Sequence, residues 1–259
     1  MQPDADQTSL ADCCLRDTRR SANYFRNLLC IVRYNIVTTL KERDKNMRRK
    51  NLEELNAANF ALSQALFTMS DVWYSMGRST DKGWQDFFRD YFTYFTETIP
   101  HTFMYRDALA ILSLAVLLDI EPHYFKQTSE KIRSAGKSDK LLDFLIYSKY
   151  PEHPVSEELM ISVSDRQVID DIIDSQDENA VDSLKCYLEN HYYTPENLGD
   201  AYDAHLRDDN AYQGYWAWEI AAVVKIKQLN DKELRDNPYY PAAMMPNTDG
   251  YIPTELNSC

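Results

Sequence analysis

The sequence predicts an all-α protein: a multi-helix bundle of long antiparallel helices with short helices and a Pro-rich C-terminal tail. Only 6 of the 259 residues are glycine, which argues against a loop-rich sandwich or barrel. Apolar residues make up 44% of the chain, and that is enough to build a core. These residues recur every three or four positions along most of the chain, which is the spacing of one face of an α-helix.

Helical periodicity divides the chain into nine predicted helices. Asp17 or Thr18 is placed to cap the first helix, and the charged run 41–50 is predicted to be a connector or the end of that helix. Gly77 stands where a C-terminal cap belongs after the second helix, and Pro100 ends the third. The predicted helices span about residues 18–40, 51–76, 81–98, 106–118, 122–133, 139–147, 164–173, 177–190 and 211–229.

Two abutting helical regions are expected to meet near Pro100. The N-terminus is polar and lacks helical periodicity, and the chain from Asn237 onward is rich in proline and is predicted to be extended. The predicted divisions are a disordered N-terminus at 1–15, an N-terminal helical domain at 16–100, a C-terminal helical domain at 101–245 and an extended tail at 246–259.

The negative charge of the chain is concentrated in one stretch. Residues 152–209 contain 16 acidic and 3 basic residues, so their net charge of −13 equals that of the whole chain. Such a field disfavours nucleic acid and anionic membranes, because phosphates repel carboxylates, and it favours a basic partner or cations. Composition alone fits a solvated surface that keeps the protein soluble equally well.

Two predicted helices within this stretch carry the acidic residues. Their apolar residues fall on one side of each helix, so the carboxylates are predicted to point outward. We therefore predict an acidic, partner-binding face formed by Asp165, Asp170, Asp171, Asp174, Asp177, Glu178 and Asp182.

Candidate catalytic and metal sites are few. Asp170-Asp171-x-x-Asp174 matches the pattern with which helical terpene synthases bind magnesium, because carboxylates at i, i+1 and i+4 can share metal ions. A second metal motif is missing, the five histidines are scattered, and no nucleophile motif or phosphate-binding glycine loop is found. We therefore expect a protein that is not an enzyme and has no metal or cofactor, with a metal-dependent all-α enzyme as the alternative.

The cysteines and the N-terminus indicate the compartment. The chain has 5 cysteines, an odd number with no zinc or redox spacing, so reduced thiols in the cytoplasm are the simplest account. The N-terminus resembles no signal peptide, and the longest apolar run, 108–118, is far shorter than the ~20 residues that a bilayer requires.

Glu219 is a carboxylate on a predicted apolar stripe. It falls on the same helical face as Tyr212, Val223 and Ile226, so at least half of its side chain is expected to be buried. A buried carboxylate requires a partner or a raised pKa. We predict a structural ion pair with Arg106, at the start of the most apolar helix, or a hydrogen bond to a core tyrosine.

The segment 209–241 resembles a known family. Gly214-Tyr-Trp-Ala-Trp-Glu219-Ile-Ala-Ala222, followed by Asp231 and Tyr239-Tyr240-Pro241, is similar to the C-terminal domain of PoNi immunity proteins. The N-terminal region is similar to that family's N-terminal domain through Arg16-Asp17, Tyr24-Phe25 and Trp73-Tyr-Ser-Met-Gly77. Together with Arg106, we expect the following motif residues to be structural: Tyr215, Trp216, Glu219, Tyr239, Tyr240 and Pro241.

The resemblance implies a function. PoNi proteins inhibit PoNe DNase toxins, which bacteria deliver to competitors by type VI secretion and related polymorphic toxin systems. It therefore implies a cytoplasmic immunity protein that binds a cognate toxin with a basic DNase domain, whose cleft the acidic face would cover. Neither nucleic acid nor a membrane is an expected partner. A generic helical scaffold for another basic protein remains open, as does the choice between a monomer and a homodimer.

Overall fold

The computed structural model describes residues 15–160, 167–174 and 179–246, and all regular secondary structure in these ranges is helical. The all-α prediction is confirmed. The α-helices are α1 (Ala22–Arg49), α2 (Leu52–Ser75), α3 (Lys82–Thr98), α4 (Tyr105–Leu117), α5 (Pro122–Ser134), α6 (Lys140–Tyr147), α7 (Gln167–Asp174), α8 (Ala180–Asn190), α9 (Pro195–Leu198) and α10 (Trp218–Lys227). Short 3-10 helices span Gly199–Ala201, Ala204–Leu206 and Ala242–Met244.

Helix α1 is longer than predicted and begins at a different cap. Ser21 caps it by accepting a hydrogen bond from the amide of Tyr24, and the helix continues through the charged run to Arg49. The predicted end near Leu40 is wrong because the charged residues that follow are good helix formers, with no glycine or proline among them. The predicted Asp17 cap is also wrong: Asp17 is buried and accepts a hydrogen bond from the Tyr212 hydroxyl.

Helices α2 and α3 lie within two residues of their predicted bounds. Asn51 caps α2 and Asp81 caps α3, the latter by accepting from the amide of Trp84 at 2.7 Å. Gly77 follows α2 with a φ of 83°, the left-handed conformation expected of a C-terminal cap. Helix α2 packs against both α1 and α3, so most of its side chains are buried.

The most apolar helix, α4, lies at the centre of the fold. It packs against α2, α3, α6 and α10, and its residues from Ala110 to Leu117 are all buried. Lys225 of α10 donates to the carbonyl oxygens of Val116 and Leu117 and to the carboxylate of Asp119. This ammonium group satisfies the free carbonyl groups at the C-terminus of α4, where the helix dipole favours positive charge.

The predicted last helix, 211–229, is wrong in its first third. Residues 211–217 form an extended segment, which we call the arm, and α10 begins only at Trp218. The aromatic side chains of the arm insert into the core between other elements, and the Ala217 amide bonds to the carbonyl oxygen of Tyr239. Aromatic spacing that fits one face of a helix is therefore also satisfied by an extended arm buried on both sides.

A single cluster of buried apolar side chains continues from α1 to the segment after α10. The predicted division near Pro100 falls in the loop between α3 and α4, and the core is continuous across it. The predicted N-terminus 1–15 and tail 246–259 lie almost wholly outside the described residues. None of the described helices is both long and apolar enough to cross a membrane.

Candidate functional site

The arm joins the C-terminal part of the chain to its N-terminal helices. Trp216 Nε1 donates to Ser75 Oγ at 2.9 Å, and Trp218 Nε1 donates to Asp71 Oδ1 at 2.7 Å. The Ser75 hydroxyl in turn donates to the carbonyl oxygen of Gln213 at 2.8 Å. The polar groups on the buried face of α2 are therefore satisfied by the arm, which fixes its position on that helix.

Gly214 allows the arm to lie this close to α2. Its φ is +137°, a conformation that side chains disfavour. A Cβ atom at this position would lie 2.3 Å from Trp216 Nε1 and 2.7 Å from Ser75 Oγ. The glycine of the motif is therefore required by backbone conformation and by packing together.

The Tyr-Tyr-Pro part of the motif closes against Asp231. The carboxylate of Asp231 accepts from the Tyr240 hydroxyl at 3.0 Å and from Arg235 Nε at 2.9 Å, and the Asp231 and Arg235 side chains are only 6% and 7% exposed. Tyr239 is half-buried, and its ring stacks on that of Tyr193 with centroids 5.3 Å apart. Among the residues predicted to be structural, those that are buried are Tyr215, Trp216, Tyr240 and Pro241.

A cavity of about 290 Å³ lies between α2, α4, α8, α10 and the arm. Sequence analysis did not predict it, because its wall comes from residues far apart in the chain. Arg106 and Ala201 are exposed wall residues, so the cavity opens to solvent beside them. Three acidic residues, Asp71, Asp107 and Glu219, line it together with the aromatic residues Phe67, Tyr105, Tyr187, Tyr192, Tyr215, Trp216 and Trp218.

Burial shifts the protonation of the groups in this cavity. It raises the pKa of Asp71 well above its usual range, and the hydrogen bond from Trp218 opposes the shift. It also raises the pKa of the Tyr192 hydroxyl well above its usual range, helped by the nearby carboxylates of Glu219 and Asp71. The pKa of Asp107 is raised by burial, against the hydrogen bond from Gln64. Water therefore screens these groups poorly.

Arg106 and Glu219 both line the cavity but do not form the predicted ion pair. The Arg106 guanidinium donates to the carbonyl oxygen of Glu196 at 3.2 Å, and no ion pair joins Arg106 to Glu219 in the described part of the chain. Arg106 stands at the exposed start of α4, whereas Glu219 is half-buried in the first turn of α10. Helical periodicity predicted the burial of Glu219 but gave no information on which side chain reaches it.

The structure divides the predicted acidic face. Asp171, Asp174 and Asp182 are exposed, but Asp170 is only 2% exposed, so the prediction that its carboxylate points outward is wrong. The short helix α7 packs against both α6 and α8, and more than one of its sides is therefore covered. The other predicted members of the face, Asp165, Asp177 and Glu178, lie outside the described residues.

Asp174 also has a structural contact. Its carboxylate accepts from Lys140 Nζ at 2.5 Å, and the same ammonium group donates to Glu157 at 2.9 Å. The Lys140 side chain is 8% exposed, so this pair fixes α7 against α6. Glu189, which the sequence analysis left out, is exposed one to two turns along α8 from Asp182. We call Asp171, Asp182 and Glu189 the acidic surface.

The geometry of α7 does not support a magnesium cluster. Asp170 is buried and Asp171 is exposed, so adjacent carboxylates of the motif lie in different environments. Within residues 15–160, 167–174 and 179–246, no three His, Cys, Asp or Glu side chains converge in a way that could hold a metal ion. The observation that motivated a metal-dependent enzyme is thereby weakened.

A buried Ser–His–Asp chain connects α5, α6 and the loop after α6. Ser129 Oγ lies 2.7 Å from His153 Nδ1, and His153 Nε2 lies 2.8 Å from Asp143 Oδ1. The Ser156 hydroxyl donates to the other oxygen of this carboxylate at 2.6 Å. The three chain members are each 2% exposed and line neither of the two cavities found in the described residues, so a substrate has no route to the serine. The chain serves to anchor the loop.

Comparisons with known proteins agree along most of the chain. The family described as "PoNe immunity protein (PoNi), N-terminal" matches residues 31–129, and "PoNe immunity proteins (PoNi), C-terminal" matches residues 137–244. The crystal structure of protein PA2201 from Pseudomonas aeruginosa is similar in fold, with a TM-score of 0.64, 18% sequence identity and 90% of each chain covered. No curated protein sequence matches the chain.

Proposed function

Because the chain belongs to the PoNi family of PoNe immunity proteins, we propose that it binds a cognate DNase toxin and prevents that toxin from acting on DNA. Binding takes place in the cytoplasm of the cell that makes the protein, where a toxin delivered by type VI secretion would act. The protein contributes no chemistry of its own in this role. It acts by competing with DNA for the surface of the toxin.

The observation that supports this mechanism is the exposure of carboxylates on two adjacent short helices. Helices α7 and α8 pack against each other and present Asp171, Asp182 and Glu189 to solvent. A DNase requires a basic cleft for phosphate groups, and an acidic surface complements such a cleft. Complementary charge accelerates association and excludes the like-charged competitor, DNA.

A charge-reversal variant tests the role of the acidic surface. The variant combines Asp171→Lys, Asp182→Lys and Glu189→Lys, and it leaves out Asp170 and Asp174 because the fold uses them. We expect its Kd for the toxin to rise by about a hundredfold or more, since each interfacial charge is worth on the order of 1 kcal/mol and three become repulsive. Calorimetry with the purified toxin measures the effect.

The matched control carries the same change of net charge elsewhere. Asp44→Lys, Asp90→Lys and Glu130→Lys also replace three exposed carboxylates, on α1, α3 and α5. This control is expected to bind the toxin within about threefold of wild type, since distant charges are screened at physiological salt. Equal losses in both variants, or full protection of toxin-expressing cells by the α7–α8 variant, would show that the acidic surface does not make the contact.

A further inference from the structure

We infer that the cavity between α2, α4, α8, α10 and the arm is a binding site for an organic cation, an alkylammonium or alkylguanidinium group. This site is separate from the acidic surface. The shared chemistry fits a free alkylamine and also the side chain of a lysine or arginine of the toxin. Only the toxin as a source rests on the proposed function.

Two buried polar atoms on the wall have no protein partner among the described residues. Asp71 accepts its hydrogen bond, from Trp218, at Oδ1, and Oδ2 accepts none from the described chain. The Tyr192 hydroxyl likewise makes no hydrogen bond within the described residues. Asp71 is 4% exposed and Tyr192 is 5% exposed. Buried polar groups in folded proteins nearly always have partners, so these atoms point to a ligand that donates hydrogen bonds inside the cavity.

The rest of the wall favours a positive ligand. Asp107 and Glu219 add two carboxyl groups to that of Asp71, and the aromatic faces around them attract cations. The wall has one basic side chain, Arg106, as far as the described residues show, and this lies at the exposed opening with its guanidinium bonded to Glu196. An anion would therefore be repelled at the depth where Asp71 lies, whereas a cation is stabilised there.

The size of the cavity limits the ligand. About 290 Å³ lies at the lower end of small-molecule sites, which run from roughly 300 Å³ upward. A linear chain of four or so carbons with one charged end fits this space, whereas a nucleotide is too large. The exposed residues Arg106 and Ala201 mark the entrance through which such a chain would pass.

Titration of the full chain with simple probes tests the inference without any toxin. The probes are n-butylammonium, n-butylguanidinium and the uncharged 1-butanol, and the readout is the fluorescence of the protein, since Trp216 and Trp218 line the cavity. We expect saturable binding of at least one cation with a Kd of about 1 mM or lower, and binding of the alcohol at least about tenfold weaker. Equal binding of cation and alcohol, or no saturation by either cation, would overturn the inference and leave a cavity filled by water.

Two wall variants locate the binding. Asp71→Asn keeps an oxygen for Trp218 and removes the charge, so it is expected to weaken cation binding at least about tenfold. Tyr192→Phe removes only the hydroxyl and is expected to weaken binding about threefold or more, which keeps the test decisive should Asp71→Asn not fold. Asp182→Asn, on the outer side of α8, is the matched control and should bind as wild type does. A folded Asp71→Asn or Tyr192→Phe protein that binds the cation like wild type would contradict the site.

A competition experiment distinguishes the two sources of the cation. Loss of toxin affinity in Tyr192→Phe, with n-butylammonium competing against the toxin, identifies a basic side chain of the toxin as the occupant. Unchanged toxin affinity in the same variant identifies a free alkylamine. Either result keeps the site, and neither depends on how the charge-reversal variants of the acidic surface behave, so failure of the proposed function is recognised separately.

Discussion

Two sets of carboxylates in this molecule resemble each other in sequence and differ completely in environment. Asp17, Asp71 and Asp231 are buried, and each accepts a hydrogen bond from an aromatic hydroxyl or indole group. The acidic surface on α7 and α8 is exposed. The buried set joins distant parts of the chain, whereas the exposed set is free to contact another molecule.

The comparison shows that local charge density is a poor guide to the carboxylates on which the fold depends. All three buried carboxylates lie outside the acidic stretch 152–209. Their importance arises from burial, because a buried charge that loses its partner costs far more than an exposed one. Variants of the buried set should therefore alter stability, and variants of the exposed set should alter binding.

The largest expected effect concerns the glycine that seats the arm on the buried carboxylates. Gly214→Ala places a Cβ within 2.7 Å of both Trp216 and Ser75 at a φ of +137°. Backbone strain and overpacking together should lower the free energy of unfolding by about 4 kcal/mol. Gly136→Ala is the control, because Gly136 has a φ of +61° with no atom within 4 Å, and it should cost only about 1 kcal/mol. Urea unfolding of both variants decides, and equal losses would contradict the close approach.

The next largest effect concerns the buried ion pair of the Tyr-Tyr-Pro segment. Arg235→Met leaves Asp231 buried with the Tyr240 hydroxyl but without the guanidinium. Stability should fall by about 3 kcal/mol, as for other buried pairs that lose one partner. In the exposed pair Lys45–Glu42, Lys45→Met should change stability by no more than about 0.5 kcal/mol. Thermal unfolding of the two variants measures the contrast, which similar shifts would remove.

A pH-dependent effect distinguishes Asp71 from the exposed carboxylates. Burial raises its pKa in the folded protein, so between the unfolded and folded pKa values the folded state holds the extra proton. Stability should therefore fall as pH rises through that interval, by at most about 1.4 kcal/mol per pH unit.

Asp71→Asn removes this dependence and keeps the acceptor for Trp218. Unfolding free energies measured at several pH values above about 4, the ordinary pKa of an aspartate, should show the variant gaining on wild type as pH rises. Parallel curves for the two proteins would contradict a raised pKa at this position.

The smallest expected effect on stability belongs to the acidic surface. Asp182→Asn and Glu189→Gln remove two exposed charges and should change the free energy of unfolding by less than about 0.5 kcal/mol. Association with the toxin should nevertheless slow, and its dependence on salt should weaken, because these charges act through long-range attraction. Stopped-flow association rates at low and physiological salt test this, and a stability loss above 1 kcal/mol would place these residues in the fold.

Periodicity predicted the helices well where each packs one side against the core. The bounds of α2 and α3 agree with the prediction because caps and breakers stand at their ends: Asn51, Gly77, Asp81 and Pro100. The arm was predicted as helix because its aromatic residues have helical spacing, and only Gly214, with its positive φ, argues against a helix there.

Contacts between distant parts of the chain could not be predicted. The bonds from Tyr212 to Asp17 and from Trp218 to Asp71 join positions 195 and 147 residues apart, and no local pattern encodes such pairs. The same holds for the burial of Asp170 and for the cavity, because both depend on how several helices meet. Family motifs identified Tyr215, Trp216 and Tyr240 as a group, but the polar groups that receive the aromatic donors carry no motif of their own.

The long separation between Asp17 and Tyr212 has a consequence for synthesis on the ribosome. At 5–20 residues per second, translation supplies Tyr212 roughly 10–40 s after Asp17, since 195 residues separate them. Throughout that time α2 lacks the indole donors for Asp71 and Ser75, which come from the arm. The nascent N-terminal helices therefore wait in an incomplete state, and a chain released before the arm emerges is a ready substrate for proteases.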